Sequence, residues 1–257
     1  MKKSSTTIIT ALLSIVAFVA CLLWSDGREY TVASDGSFRV VPKVHHDTII
    51  TQKEYPAFSI SVYDDLFREY SDSLGWDWKW LAAVAYQESR FNADAVNPSG
   101  ASGLMQLMPK TAEAMGVDSL HRTDPRASVR AASRLFERLN RRFNDVPMPD
   151  RVSFVLASYN AGHGHIQDAM RLTEKHGGMK NRWKGNVEYF LGKKSDPAFY
   201  KDSVCHYGRF SDGETIAFVK NVHDKYNEYS RLEALHRSVH KADTVLIPHK
   251  KTRHKHQ

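Results

Sequence analysis

The sequence predicts an all-α domain of about 170 residues, and three observations carry that expectation. From about Ser59 onward, apolar residues recur at three- and four-residue spacing, the period of a helix with one buried face. No strongly alternating segment follows residue 60. Within the 257 residues, 42% are hydrophobic and 25% charged, an ordinary globular balance with enough apolar material for a core.

The elements follow in order. Lys2 and Lys3 precede an uncharged run from Ser4 to Ser25, whose apolar core Ile8–Trp24 spans 17 residues. Residues 1–25 therefore read as a secretory signal or a membrane anchor, with the lysines cytoplasmic and the rest exported. Phe18-Val19-Ala20-Cys21 resembles a lipobox, in which the cysteine is lipidated; Leu22-Leu23-Trp24 continues the apolar run and favours an uncleaved anchor. Anchor, lipoprotein and simple secretion all stay open. Either of the first two tethers an extracytoplasmic domain to a membrane. Residues 26–58 mix Ser, Asp, Gly, Thr and Pro with alternating Val and Ile, and read as a linker that admits a short strand.

Helices are expected over 61–73, 77–90, 109–115, 125–143, 150–160, 164–175 and 214–235. Asp77 suits an N-cap, Pro109 and Pro125 suit first turns, and Gly116 and Gly162 suit stops. In 125–143, Val129, Ala132, Leu135, Phe136, Leu139 and Phe143 form a core face. The domain is bounded at 59–232, leaving a basic, His-rich tail over 233–257, expected to be solvated and unstructured.

The charge of +7 does not make a nucleic-acid protein. Residues 231–257 carry seven Lys and Arg against Glu233 and Asp243, whereas the middle of the chain is nearly neutral. A basic stripe on folded elements, which nucleic acid requires, is missing from the middle. Two cysteines exclude a disulfide scaffold and a four-cysteine zinc module, and Cys205 is expected to be a core thiol.

The sharpest chemical signal ends the helix over 77–90. Leu81, Val84, Ala85 and Glu88 share one face, which must be the buried one, so Glu88 ends an apolar stripe in the last turn. Burial and the partly negative helix end both disfavour its charge and should raise its pKa above the usual glutamate value of about 4.3. A carboxylic acid kept protonated near neutral pH is a general acid. The loop through Asn97-Pro98-Ser99-Gly100 leads into Gly100-Ala101-Ser102-Gly103-Leu104-Met105-Gln106-Leu107-Met108-Pro109, where small residues, soft apolar side chains and one amide suit the rim of a sugar groove. Tyr159, on the face of Val152, Val155 and Leu156, points inward and needs a hydrogen-bond partner.

Together these segments resemble the soluble-lytic-transglycosylase (SLT) domain, a lysozyme-like family that cleaves bacterial peptidoglycan. The residues that carry the resemblance are Glu88-Ser89, then Gly100-Ala101-Ser102-Gly103-Leu104-Met105-Gln106 with Pro109-Lys110-Thr111-Ala112, then Ser158-Tyr159-Asn160-Ala161-Gly162-His163-Gly164, and Glu214-Thr215-Ile216-Ala217-Phe218-Val219. The resemblance implies a lysozyme-like fold of the goose-type lysozyme and SLT kind. It also implies cleavage of the β-1,4 bond between N-acetylmuramic acid and N-acetylglucosamine, without water, to 1,6-anhydro ends. Glu88 is then the single general acid and base. Asn97, Ser102, Met105, Gln106, Met108, Tyr159 and Asn160 are the substrate contacts. Phe218 stands where the family usually has a tyrosine and Asn97 where a serine is common; Tyr159 is retained and could supply the missing hydroxyl. A muramidase that uses water and a murein-binding protein without activity are the competing expectations.

The expected partners are peptidoglycan strands and, through the N-terminal segment, a membrane; no protein partner follows from the sequence. No metal or cofactor is expected. His163 and His165 beside Gly164 suit the groove or the surface better than a metal, and His249, His254 and His256 lack ligand spacing.

Overall fold

The computed structural model describes residues 29–32, 38–41, 57–210 and 213–245. The expected anchor over 1–25 and the last residues of the tail lie outside them. Two compact units divide the chain, residues 1–55 and 56–257.

In the first unit, β1 (Glu29–Val32) pairs antiparallel with β2 (Phe38–Val41), Glu29 opposite Val41 and Val32 opposite Phe38. Val, Phe, Tyr and Thr dominate both strands, as a pleated surface favours. β2 falls where alternating Val residues admit a short strand; β1, which precedes that stretch, was not foreseen.

Described residues of the second unit are helical: α1 (Asp64–Ser71), α2 (Lys79–Ser89), α3 (Pro109–Ala114), α4 (Pro125–Arg142), α5 (Asp150–Ala161), α6 (His163–Lys175), α7 (Glu188–Lys193), α8 (Pro197–Tyr200) and α9 (Gly213–Val245). The expected caps operate. Pro125 opens α4 and the Asp124 side chain accepts from the Ala127 amide at 2.7 Å. Asp77 accepts from the Lys79 amide at 3.1 Å before α2. Gly162 takes a φ of 87° where α5 stops.

Three expectations are corrected. α7 and α8 were not foreseen, because each is too short to show a period; α7 has only Leu191 buried. α2 is buried on all sides from Trp80 to Ala85 rather than along one stripe, because Ala82 and Ala83 let neighbours approach closely. α9 runs through Val245, beyond the expected end at residue 235, and so extends helix into the basic segment.

α5 sits at the centre, with every residue from Val152 to Ser158 buried. α4, α6 and α9 pack around it, and α9 also lies along α2. Trp80 of α2 stacks on Tyr226 of α9 with ring centroids 3.8 Å apart, and the Lys79 ammonium meets Glu233 at 2.8 Å and Asp77 at 2.6 Å. Full burial of a side chain such as Leu81, Val155 or Leu156 contributes about 1.5–3 kcal/mol. That packing fixes where α2 and α5 end, and those two ends carry the candidate site.

Candidate active site

α2 terminates at Arg90, which takes a left-handed φ of 53° and donates its amide to the Tyr86 carbonyl at 3.0 Å. Glu88 therefore lies in the last turn. The adjacent Ser89 hydroxyl is buried and donates to the carbonyl of Leu104 at 2.9 Å, tying the helix end to the loop that follows it.

That loop is held by its backbone. Ser102 bridges both Val96 and Leu107, and the Gly103 amide donates to Ala95 at 2.8 Å. The Arg122 guanidinium donates to the carbonyls of Gly100 and Leu107 at 2.7 and 2.9 Å. Gly103 has no substitute here: its φ is 82°, and a Cβ would lie 1.9 Å from the Arg122 carbonyl oxygen. Gln106, with a φ of 48°, sits in a left-handed conformation that costs of order 1–3 kcal/mol outside glycine. The peptide at Met105 is held at both ends. Its amide donates to the Ser128 hydroxyl at 3.1 Å, and its carbonyl accepts from the Tyr159 hydroxyl at 2.5 Å.

Between these pieces lies a cavity of about 310 Å³, lined by Glu88, Asn97, Ser99, Ala101, Gln106, Leu107, Met108, Thr111, Leu135, Tyr159 and Asn160. Glu88 supplies its acidic side chain. Burial pushes the Glu88 pKa up to about 8. No hydrogen bond or ion pair among the described residues offsets that burial, which favours the protonated form of Glu88.

The three amides are each tied by one end. Asn97 accepts from the Ser99 amide at 2.8 Å through Oδ1. Gln106 donates through Nε2 to Ala95 at 3.0 Å and Gly103 at 2.9 Å. Asn160 accepts from the Thr215 hydroxyl at 2.5 Å through Oδ1. Two NH2 groups and one carbonyl oxygen are left for a ligand, a set that matches the hydroxyl and acetamido groups of a sugar.

Glu88, Asn97, Gln106, Met108, Tyr159 and Asn160 are thus brought together as expected from sequence. Ser102 and Met105 are not: both are buried behind the wall, because the loop turns their side chains into the core and Met105 acts through its backbone. The Tyr159 hydroxyl does not replace the one missing at Phe218. Its proton is committed to Met105, and among the described residues no hydrogen bond joins it to Glu88. Burial, with the Glu88 charge adding to it, holds the Tyr159 pKa well above the usual phenol range. Phe218 packs in the core and is absent from the cavity wall.

Leu135, read from sequence as core, packs against the core and also lines the cavity. Thr111, Ser99 and Ala101 join it; all three stand in the quoted loop and motif segments, though none was named as a substrate contact. His163 and His165 lie elsewhere: His163 packs on Phe143, and His165 on Phe210 with its ring beside the Lys194 ammonium. Cys205 is half-buried, its thiol directed at the Phe199 carbonyl, rather than a core thiol. Among the described residues no group of three or more His, Cys, Asp or Glu has metal-binding geometry.

Residues 65–181 match the family described as Transglycosylase SLT domain. A membrane-bound lytic murein transglycosylase F from Alcanivorax borkumensis is 38% identical over 169 residues, which is 65% of this chain and 35% of that protein. The protein of the same name from Maricaulis maris is 41% identical over 163 residues, 63% of this chain and 35% of the relative. The chain thus spans about a third of the length of the curated relatives it matches. Among solved structures, the 70 kDa soluble lytic transglycosylase from Escherichia coli superposes with a TM-score of 0.44 at 28% identity, over 66% of this chain and 24% of that one.

Proposed function

We propose that this chain is a peptidoglycan lytic transglycosylase with a lysozyme-like catalytic domain over residues 59–232. One observation carries the proposal: a lone carboxylic acid, with a pKa raised to about 8, stands in a cavity whose amides present fixed donors and a fixed acceptor. The family match over 65–181 and the named relatives support the same reading.

The chemistry needs one acid/base. Glu88 donates its proton to the glycosidic oxygen, and the N-acetylglucosamine side leaves as the alcohol. The carboxylate so formed then accepts the proton of the muramyl 6-hydroxyl, whose oxygen bonds to C1 and closes the 1,6-anhydro ring. Glu88 ends protonated, and no water is consumed. Two-carboxylate glycosidases need a second acid to activate water or attack the sugar. Asp94, the nearby acid in sequence, is exposed and does not line the cavity. The substrate's own acetamido group takes the place of that second acid, stabilising positive charge at C1.

Asn97, Gln106, Met108 and Asn160 hold the glycan. Residues 1–25 tether the domain to a membrane so that it works in the cell envelope, and the basic segment after residue 233 draws it to anionic polymers. Purified peptidoglycan digested by the wild type and by Glu88→Gln tests the assignment. Muropeptides with anhydro ends are expected from the wild type and none from the variant. Products heavier by one water would make the enzyme a muramidase, and absence of release by the wild type would leave only murein binding.

A further inference from the structure

We propose that Thr215 is a positioning residue for this site: its hydroxyl holds the Asn160 side chain so that the NH2 end faces the Glu88 cavity. The inference rests on the function proposed above.

Thr215 is fully buried near the start of α9, yet its hydroxyl donates at 2.5 Å to Oδ1 of Asn160, 55 residues earlier in the chain and exposed on the cavity wall. A buried hydroxyl needs a partner, and here the partner belongs to the site. The position of Thr215 is imposed by packing. Phe218, Val219 and Val222 follow at three, four and seven residues, on the same helical face, and all three are buried. A second rung holds the same two helices further along, where the Ser153 hydroxyl and Nε2 of His223 lie 2.9 Å apart. The rungs are seven residues apart on α5 and eight on α9, which is about 10–12 Å along the helices. Two fixed points stop α9 from sliding or turning against α5, so the Thr215 hydroxyl stays at the height of Asn160.

The consequence is chemical. An exposed asparagine can rotate and offer either its carbonyl or its NH2 to a ligand. With Oδ1 held by Thr215, Asn160 presents only N–H donors, as Asn97 does through its own turn. Substrate oxygens therefore meet donors on both of these residues.

Three variants test the proposal. Thr215→Val keeps the shape and removes the hydroxyl; Thr215→Ser keeps the hydroxyl; Asn160→Ala removes the group being held. On soluble glycan fragments, Thr215→Val should raise KM about 3- to 10-fold with little change in kcat, the worth of one neutral hydrogen bond used in binding. Thr215→Ser should restore KM. In the Asn160→Ala background, Thr215→Val should change KM no further. Independently of any reaction, the order parameter of the Asn160 side-chain amide should fall in Thr215→Val and recover in Thr215→Ser. Additive effects of the two substitutions, or an amide equally ordered in wild type and Thr215→Val, would overturn the proposal. A wild type that binds glycan without cleaving it would overturn the enzyme assignment alone, since the amide measurement still decides the role of Thr215.

Discussion

The Tyr159 hydroxyl donates to the Met105 carbonyl oxygen at 2.5 Å, joining the end of α5 to the loop that follows Glu88. The two residues are 54 positions apart, and this bond is one of two that hold the Met105 peptide. Tyr159→Phe keeps the ring stacked on Phe136 but orphans a carbonyl whose residue is fully buried. The expected cost is about 1–3 kcal/mol of stability, read as a lower urea midpoint at unchanged m-value. An unchanged midpoint would mean that the Met105 carbonyl finds another partner.

Catalysis should depend on pH through Glu88. The acid must be protonated when substrate binds, and burial raises its pKa to about 8. The rate should therefore hold through neutral pH and fall as pH rises past about 8. A profile that already declines between pH 5 and 6 would show a carboxyl without the burial that the cavity imposes.

Stability carries the same sign. A carboxyl whose folded pKa is raised from 4.5 to about 8 is not penalised below pH 4.5, and its contribution is lost as pH rises through about 8. Glu88→Gln removes the ionisation while keeping the shape. The variant should match the wild type near pH 4 and be more stable at pH 9 by about 1–4 kcal/mol, measured by thermal or urea unfolding at both values.

Gly103→Ala should fail for a steric reason. Its new Cβ would stand 1.9 Å from the Arg122 carbonyl oxygen, at a φ of 82°. Left-handed strain and overpacking together should cost about 2–4 kcal/mol. Activity should fall further than the folded fraction does, because the displaced loop carries Gln106 and Met108. A variant as stable and active as the wild type would mean that the loop gives way freely.

Away from the cavity, Asp168 and Lys194 are both fully buried and paired at 2.5 Å. Asp168 also accepts from Arg171 and from the amides of His206 and Tyr207 at 2.8 and 2.9 Å. Burial alone would raise the Asp168 pKa, but the Lys194 ammonium and the two backbone amides outweigh it and hold the pKa below the usual 3.8. Its stabilisation is thus present above pH 3.8 and is lost as pH falls through the lower folded value. Lys194→Met leaves an uncompensated buried carboxylate and should cost about 3–5 kcal/mol near neutral pH. Adding Asp168→Asn should recover part of that loss, as a urea-denaturation series on the single and double variants would show.

Local sequence was enough for most of the helices and for the acid. Helical spacing, Pro125 at one helix start and Gly162 at one helix stop act within a turn or two, so they are legible without the rest of the chain. Glu88 is legible in the same way as the acid that ends an apolar run, but its burial comes from the packing around α2, which is buried on all sides rather than along the one stripe the spacing marks. What only the tertiary structure decided are the partners of the polar groups. Met105 and Ser102 look like groove residues in the sequence, yet their side chains face the core and the Met105 backbone does the holding. Leu135 looks like core and also lines the cavity. Tyr159 finds Met105, and Thr215 finds Asn160, only once α2, α5 and α9 are packed, because a hydrogen bond acts over about 3 Å and leaves no periodic trace along the chain. The sequence determined which chemical groups this protein carries; the packing of distant helices decided which way they point.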